Sequence, residues 1–592
     1  MWLTHTIALV SAVISIFGLS ASASGTLTPT GDFVNPILPG FHPDPSCIFE
    51  EVEEVFYCAS SSFSVFPGIP IYASKDLRSW RLIGNVLNRG SQLPELSMSN
   101  GSTSGIWAPA LRHFNGTFYV VTTLVHDKKA PEDPKRWDNI IFSTPNIWNE
   151  SLWSDAVHFD FQGYDTSPFW DEEGNEYIVG SHAYKVEPGI HLNKVDLETG
   201  EINGNWTNLW NGTGGMAPEG PHIYIKDGYH YLMIAEGGTG LGHMETIARS
   251  KNLYGPYDTN PSNPILTNAN TTEYFQTVGH ADLFPDVHGN WWGVALATRS
   301  GPEYLTYPMG RETVLTNVTW ENGSWPIFQN PVRGTLTGWQ LPNTTAELRG
   351  SGPLVTEGDN NLQFPPNSTL PPHFIHWRPP IAENYAISPP GHPNTLRLRP
   401  SKLNLTGLDG YGGGQGGQTF VGRRQVDTLF TYRVDLEYSP KTVEEEAGVT
   451  LFLTQDHHAR IGLTLFPSNT TSSSEELIPH FRFHAISRVP VPPSFSIPVP
   501  STLLNTTLTF EIRAVNITHY TFSVGAAGSQ DPLTVLAYVP GNIVSWGFTG
   551  TLVGVYATSN GGEGSEEAFV RNWTYIGEGQ VRDNGMTGGM KR

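Results

Sequence analysis

Cysteine is almost missing from this chain: among 592 residues only Cys47 and Cys58 carry a thiol. A structural zinc site needs four Cys or His ligands, and two cysteines so placed cannot supply one. Basic residues are scarce as well. The 34 Lys and Arg face 56 Asp and Glu, leaving a net charge of −22. Nucleic acid and anionic membrane surfaces both recruit basic patches, so neither is expected as a partner. Charged residues of either sign amount to 15%. The apolar run Ile7–Leu19 is too short to span a bilayer.

That run is followed by Ala21-Ser22-Ala23, which fits the small-x-small rule for signal cleavage. Residues 1–23 are therefore expected to be a secretory signal peptide, with His5 standing where a lysine or arginine is usual. Asn-X-Ser/Thr sequons recurring from Asn100 to Asn572 agree with passage through a glycosylating pathway to an extracellular location. Cys47 and Cys58 flank a short hairpin. A cross-strand disulfide and two buried reduced thiols are both open readings.

What the chain has in abundance is turn formers and aromatics: 62 Gly, 46 Pro, 17 Trp, 22 Tyr and 29 Phe. Such a composition suits turn-rich β structure better than helices, and the length predicts two or three domains. The stretch Met216–Gly238 shows the repeating unit. Glu219 sits between Pro218 and Pro221, Ile223–Ile225 reads as an apolar strand, Lys226-Asp227-Gly228 as a turn, and Tyr229–Ile234 as the return strand. The unit recurs with aromatic landmarks at Tyr57, Tyr119, Tyr177, Tyr231 and Trp292, whose numbers differ by 62, 58, 54 and 61. All-strand repeats of this period predict an all-β fold, with a five-bladed β-propeller over 24–340.

The starts of the units fall in phase. Twelve residues before the landmark stand Trp107, Asp165, Glu219 and His280, and thirteen before the first stands Asp44. Equivalent entrances of the innermost strands ring the axis of a propeller. Three carboxylates, an indole and an imidazole are thus expected around one end of one hole, although like charges raise each other's pKa.

From about residue 341 the composition shifts. The range 341–400 reads as a proline-rich connector. Alternating runs between 401 and 580, from Leu429–Tyr438 to Phe569–Ile576, read as a β-sandwich, and 581–592 as a flexible tail. His457-His458 is expected on the surface of a polar hairpin. The glycine-rich runs Gly238–Gly242 and Gly410–Gly417 lack the strand-to-helix change of a phosphate loop.

Two carboxylates across a pocket, one ionised and one protonated, are the equipment of glycoside hydrolysis. Asp44 in a polar mouth suits the base. Glu219 suits the acid, with Asp165 as the negative neighbour that keeps its proton on. Nearly opposite blades leave room for a water and favour inversion over direct attack. Trp107 offers an apolar platform for a sugar face, or else plugs the channel. His280 either holds a water or cation at the axis or is a hydrogen-bonded structural residue. A sugar-binding propeller without turnover is the rival from another class, and it would be expected to lack one of the three acids.

The motifs NPILPGFHPDPS (Asn35–Ser46), SVFPGIPIYASKDLRSW, GIWAPAL, MAPEGPHIY, AEGG, IARSKNLYGPY, VGHADL and PMGRET run from Asn35 to about Trp325. Together they resemble glycoside hydrolase family 43, in particular fungal two-domain members with a C-terminal β-sandwich, and FVGRRQ (Phe420–Gln425) carries the likeness onward. The resemblance implies an inverting exo-glycosidase with Asp44 as general base, Glu219 as general acid and Asp165 as pKa modulator and orienting residue. It implies sugar-binding roles for Trp107, His280 and Arg311 and a pocket wall from Phe63. It requires no cofactor, though some relatives hold a calcium near the axial histidine. The implied partners are plant cell-wall polysaccharides: arabinoxylan and xylo- or arabino-oligosaccharides.

Two departures bear on substrate. Ser64-Val65 stands where the family's β-xylosidases usually have Glu-Trp, and Tyr164 where they have Phe. Read as rim residues, they imply a more open, polar mouth. That favours an α-L-arabinofuranosidase acting on arabinoxylan, with a β-xylosidase as the alternative. Retaining fructan hydrolases show Asn-Asp-Pro-Asn at the first strand, which Pro43-Asp44-Pro45-Ser46 does not match.

Overall fold

A computed structural model describes residues 33–336, 339, 341–342, 347–411, 417–468, 476–583 and 586–588. The expected signal peptide lies outside the described residues. Five antiparallel sheets follow one another along residues 46–328. The first contains Ser46–Glu50, Val55–Ala59, Gly68–Ser74 and Arg81–Leu87. In the second, Gly105–Ile106 and Ala110–Phe114 both pair with Thr117–Val125, followed by Trp137–Thr144 and Val157–Phe159. The third is Gly163–Trp170, Glu176–His182, Ile190–Val195 and Ile202–Trp210. The fourth is Glu219–Lys226, Tyr229–Glu236, Met244–Ser250 and Asp258–Thr259. The fifth is Phe275–Pro285, Trp291–Arg299, Arg311–Thr319 and Ile327–Phe328.

Each sheet opens on a hairpin, and each aromatic landmark lies on a return strand. The turn after Lys226 shows the local cause. Asp227 and Gly228 both take positive φ, 52° and 72°, as a two-residue hairpin turn demands, and aspartate and glycine tolerate that backbone. Tyr57, Tyr177, Tyr231 and Trp292 are buried. The chain's start is tied to the last sheet: Asn35 Nδ2 donates to the Leu315 carbonyl at 3.0 Å, and its Oδ1 accepts from the Leu315 amide at 2.9 Å. Phe33–Val34 pairs with Thr335–Leu336 beside it.

The rest of the chain forms a nine-stranded and a six-stranded sheet, with one apolar core that includes Tyr432, Val449, Ile461, Phe481, Phe510 and Trp573. Burying a side chain such as Ile461 or Phe510 stabilises by about 1.5–3 kcal/mol. Three expectations need correction here. The range 341–400 is not a bare connector: Asp359–Leu362 and Leu396–Leu398 pair with the long strand Ala568–Asp583, and Tyr385–Ile387 extends the sheet. The expected tail is strand as far as Asp583, because Arg299 of the first unit donates to Gln580 Oε1 and to the Val581 carbonyl, both at 2.8 Å. His457 and His458 are buried, not exposed. Side chains of both units cover that hairpin. Ser102 donates to Asp456, and the His457 ring stacks on Trp546 at 4.6 Å.

Backbone joins the units directly. His376–Trp377 pairs with Val65–Phe66, and Arg424 Nε donates to the Phe41 carbonyl at 3.0 Å. Gly310, at φ 70°, lies so near Thr549 that a Cβ there would come within 2.0 Å of its carbonyl oxygen.

Candidate active site

Asp44, Asp165 and His280, read above as equivalent entrances, share a backbone feature: φ values of 50°, 52° and 53°. The left-handed region costs a non-glycine residue roughly 1–3 kcal/mol and is retained where surrounding structure enforces it. The strands carrying Asp165, Glu219 and His280 also break register at that place. The shifts fall between Tyr164 and Ser167, between Glu219 and His222, and on either side of Gly279. A bulge re-aims a side chain away from the ladder.

All the expected site residues meet. Asp44, Phe63, Trp107, Tyr164, Asp165, Glu219, His280 and Arg311 line one cavity of about 330 Å³. Asp44 Oδ2 accepts from the Ser61 hydroxyl at 2.6 Å and Oδ1 from Arg311 Nη1 at 3.1 Å. His280 Nδ1 lies 3.9 Å from Asp44 Oδ1 and 4.0 Å from Asp165 Oδ2. Asp165 Oδ2 accepts from the Gly220 amide at 3.1 Å, so it holds the backbone beside Glu219. Gly220, at φ 58°, leaves no room for a side chain, since a Cβ would stand 3.0 Å from His280 Nε2. Glu219 Oε2 accepts from the Tyr164 hydroxyl at 3.3 Å.

Burial pushes Glu219 up to about 7, with Arg311 opposing and Asp44 adding to the rise. Asp44 thus joins the expected neighbour, Asp165, whose carboxyl and that of Glu219 repel each other. Asp165 is itself raised well above the usual carboxylate range, by burial first and then by Glu219 and Asp44. Burial lowers His280, so its ring is neutral at pH 7.

An aromatic wall closes one side. Trp137 stacks on Tyr164 at 5.3 Å, and Trp107 meets Tyr164 edge-on at 5.4 Å. Trp107 lines the cavity and is half-buried, with its Nε1 held by the Thr103 carbonyl at 2.8 Å. Phe548, from the second unit, joins the wall 6.0 Å from Phe63 and 6.2 Å from Trp107. Its place could not be read from sequence, because it comes from a loop more than two hundred residues after Arg311.

The rim argument does not hold for Ser64-Val65, whereas Tyr164 does line the cavity with its hydroxyl beside it. Ser64 and Val65 are fully buried under His376–Trp377, and Tyr164 is a buried partner of the acid.

A polar layer lies a few residues further along the same strands. Asp282 holds Arg112 by two bonds, Nη1 to Oδ2 at 2.7 Å and Nη2 to Oδ1 at 3.0 Å. It also accepts from Ser46 at 2.6 Å and Tyr224 at 2.7 Å. His222 Nδ1 is 2.8 Å from Arg112 Nη2 and 3.0 Å from Ser167 Oγ. Burial opposes the charge on Asp282, but Arg112 holds the group down at about 2, and burial drives His222 down to about 3. All five sheets contribute to this layer. The sequence signal was present, since Ser46, Ser167 and Asp282 each stand two residues after a site residue.

Among the described residues no three His, Cys, Asp or Glu are grouped as ligands around a metal. His280 faces the carboxylates of Asp44 and Asp165 at 3.9 and 4.0 Å, and no step below passes through a metal.

A buried acid and a second carboxylate in one sugar-sized cavity, on a scaffold of successive four- and five-stranded sheets, define a glycoside hydrolase. Residues 33–326 match the glycosyl hydrolases family 43, and residues 363–576 match the beta xylosidase C-terminal concanavalin A-like domain. The chain is 32% identical over 541 residues to a non-reducing end alpha-L-arabinofuranosidase of Bacteroides ovatus, covering 89% of this chain and 92% of the relative. It is 32% identical over 431 residues to a xylosidase/arabinosidase of Humicola insolens, covering 71% and 74%. A solved xylan beta-1,4-xylosidase of Bacillus halodurans superposes with a TM-score of 0.76 at 27% identity, covering 92% of this chain and 99% of that one. This chain belongs to glycosyl hydrolases family 43.

Proposed function

We propose that this protein is a secreted, inverting exo-glycosidase that releases terminal α-L-arabinofuranose from arabinoxylan. In this reading the five sheets are the blades of one propeller, and the Arg112–Asp282 layer floors the cavity so that only a chain end or side group enters. The cavity, at about 330 Å³, lies at the small end of ligand pockets and suits one terminal sugar. Asp44 takes a proton from a water as that water bonds to the anomeric carbon. The glycosidic C–O bond breaks, and Glu219 gives its proton to the departing oxygen. Asp165 orients Glu219 through Gly220. Arg311 and His280 bind sugar hydroxyls, and Trp107 takes the apolar sugar face.

The observation that carries this reading is Glu219, buried and holding its proton to about 7 beside Asp44 in the same cavity. The arabinofuranose assignment draws support from the names of the Bacteroides ovatus and Humicola insolens relatives. Secretion rests on residues 1–23. A β-xylosidase is the second reading, favoured by the C-terminal match. Incubation with arabinoxylan and with xylobiose, and identification of the monosaccharide released, separates the two. Arabinose from the polymer supports the first, and xylose from xylobiose alone supports the second.

A further inference from the structure

The six-stranded sheet of the second unit has an outer face, turned away from the sandwich core, that carries two adjacent rows of polar side chains. Strand register sets Tyr556, Gly448, Gly462, Arg482 and Ser496 in one row. Thr450, Arg460 and His484 stand in the next. Their sequence neighbours Val555, Val449, Ile461 and Phe483 belong to the core, which fixes the direction of both rows. Tyr556 lies across Gly462, where a Cβ would come within 2.6 Å of its hydroxyl, and the open trough runs beside it. Arg460, Arg482 and His484 line an open pocket of about 250 Å³ with Ser494 and Ser496 at its edge.

The charges in this trough do not balance. Glu446 contacts both guanidinium groups, but its oxygens already take Arg482 Nη2 and the Tyr556 hydroxyl. Arg460 Nε lies 3.4 Å from Glu446 Oε1 without the alignment of a hydrogen bond. Among the described residues, Arg460 Nη1, Arg482 Nε and His484 Nδ1 are buried without a partner. Asp409 acts on Arg460 and Glu444 on Arg482 only through space, and no ion pair joins them among the described residues. Arg460 is 5% exposed. A guanidinium so buried is costly unless an anion meets it, and its planar fork matches a carboxylate.

We propose that this trough is a second carbohydrate site, separate from the catalytic cavity, which binds a uronate: a sugar whose carboxylate meets Arg460 and Arg482 while Ser494 and Ser496 meet its hydroxyls. The choice of a sugar as carrier of the carboxylate rests on the polysaccharide reading above; the anion site does not.

The test is calorimetric titration of the full chain with sodium glucuronate, with glucose and inorganic phosphate as comparison ligands. Wild type and Glu219→Gln are expected to bind glucuronate equally, and glucose should not bind at this site. Arg460→Met is expected to weaken glucuronate at least tenfold while its circular dichroism stays that of wild type. If Arg460→Met does not fold, His484→Ala takes its place, with a loss of at least threefold expected. No glucuronate binding, undiminished binding in the folded variant, or loss of binding in Glu219→Gln would overturn the proposal. Phosphate binding as tight as glucuronate would overturn the sugar assignment. Glucuronate binding by a protein that releases neither arabinose nor xylose would leave this site standing and remove the catalytic reading instead.

Discussion

The ring of Phe548, carried by the sandwich, lies 4.3 Å from the guanidinium carbon of Arg311, which donates to Asp44 at 3.1 Å. The second unit thus reaches Asp44, the proposed base of the first, through a single arginine. A cation–π contact away from water is worth roughly 0.5–2 kcal/mol. Phe548→Ala is therefore expected to lower kcat/KM on an aryl α-L-arabinofuranoside roughly twofold to thirtyfold. Steady-state kinetics beside a thermal melt checks this, and unchanged kcat/KM would show that the ring does not matter to Arg311.

Glu219 acts as an acid only while protonated. kcat/KM is therefore expected to fall as pH rises through about 7. Glu219→Gln should lose that alkaline limb. It should also lose roughly 10²–10⁴-fold in rate on substrates with poor leaving groups, and much less on activated aryl glycosides. Equal losses on both would count against the assignment.

The same shift bears on stability. The folded pKa of about 7 lies above the ordinary 4.5, so the folded state binds the proton more tightly. The contribution is fully present below pH 4.5 and declines as pH rises from there to 7. Urea unfolding across that window should show a flatter profile in Glu219→Gln than in wild type.

Tyr164 donates to the acid, and this bond favours the charged form. Tyr164→Phe is expected to move the alkaline limb of the pH profile upward. At 3.3 Å the bond is long, so the move should be under about one pH unit. A limb that stays put or moves downward would show that the hydroxyl does not couple to Glu219.

The phase of the inner-strand entrances was legible because every unit needs the same alternation and the same aromatic on its return strand. That phase brought Asp44, Asp165, Glu219 and His280 together with no homologue required. What escaped depends on contacts distant along the chain. Ser64 and Val65 look like rim residues until His376–Trp377 pairs over them. His457 and His458 look polar and exposed until Trp546 stacks on the one and Phe452 on the other. Phe548 carries no local signal of a pocket at all. The strands at Asp359–Leu362 and Leu396–Leu398 are short and lie in proline-rich sequence, so their alternation is too brief to read.

Arg112, its side chain 17% exposed, forms an ion pair with the fully buried Asp282. Removing one partner leaves the other charge uncompensated, which costs about 3–5 kcal/mol. Arg112→Met is expected to lower stability by about that amount in urea unfolding. Arg112→Met combined with Asp282→Asn should recover part of it. A single variant as stable as wild type would mean that the Arg112–Asp282 layer does not hold the five sheets together.

The stereochemistry of the first product tests the division of labour between Asp44 and Glu219 most directly. Proton NMR, recorded while an α-L-arabinofuranoside is being hydrolysed and before mutarotation, should show the β anomer of arabinose appearing first, because water activated by Asp44 attacks from the face opposite the leaving group. The α anomer appearing first would mean that a carboxylate had bonded to the sugar, and would contradict the account.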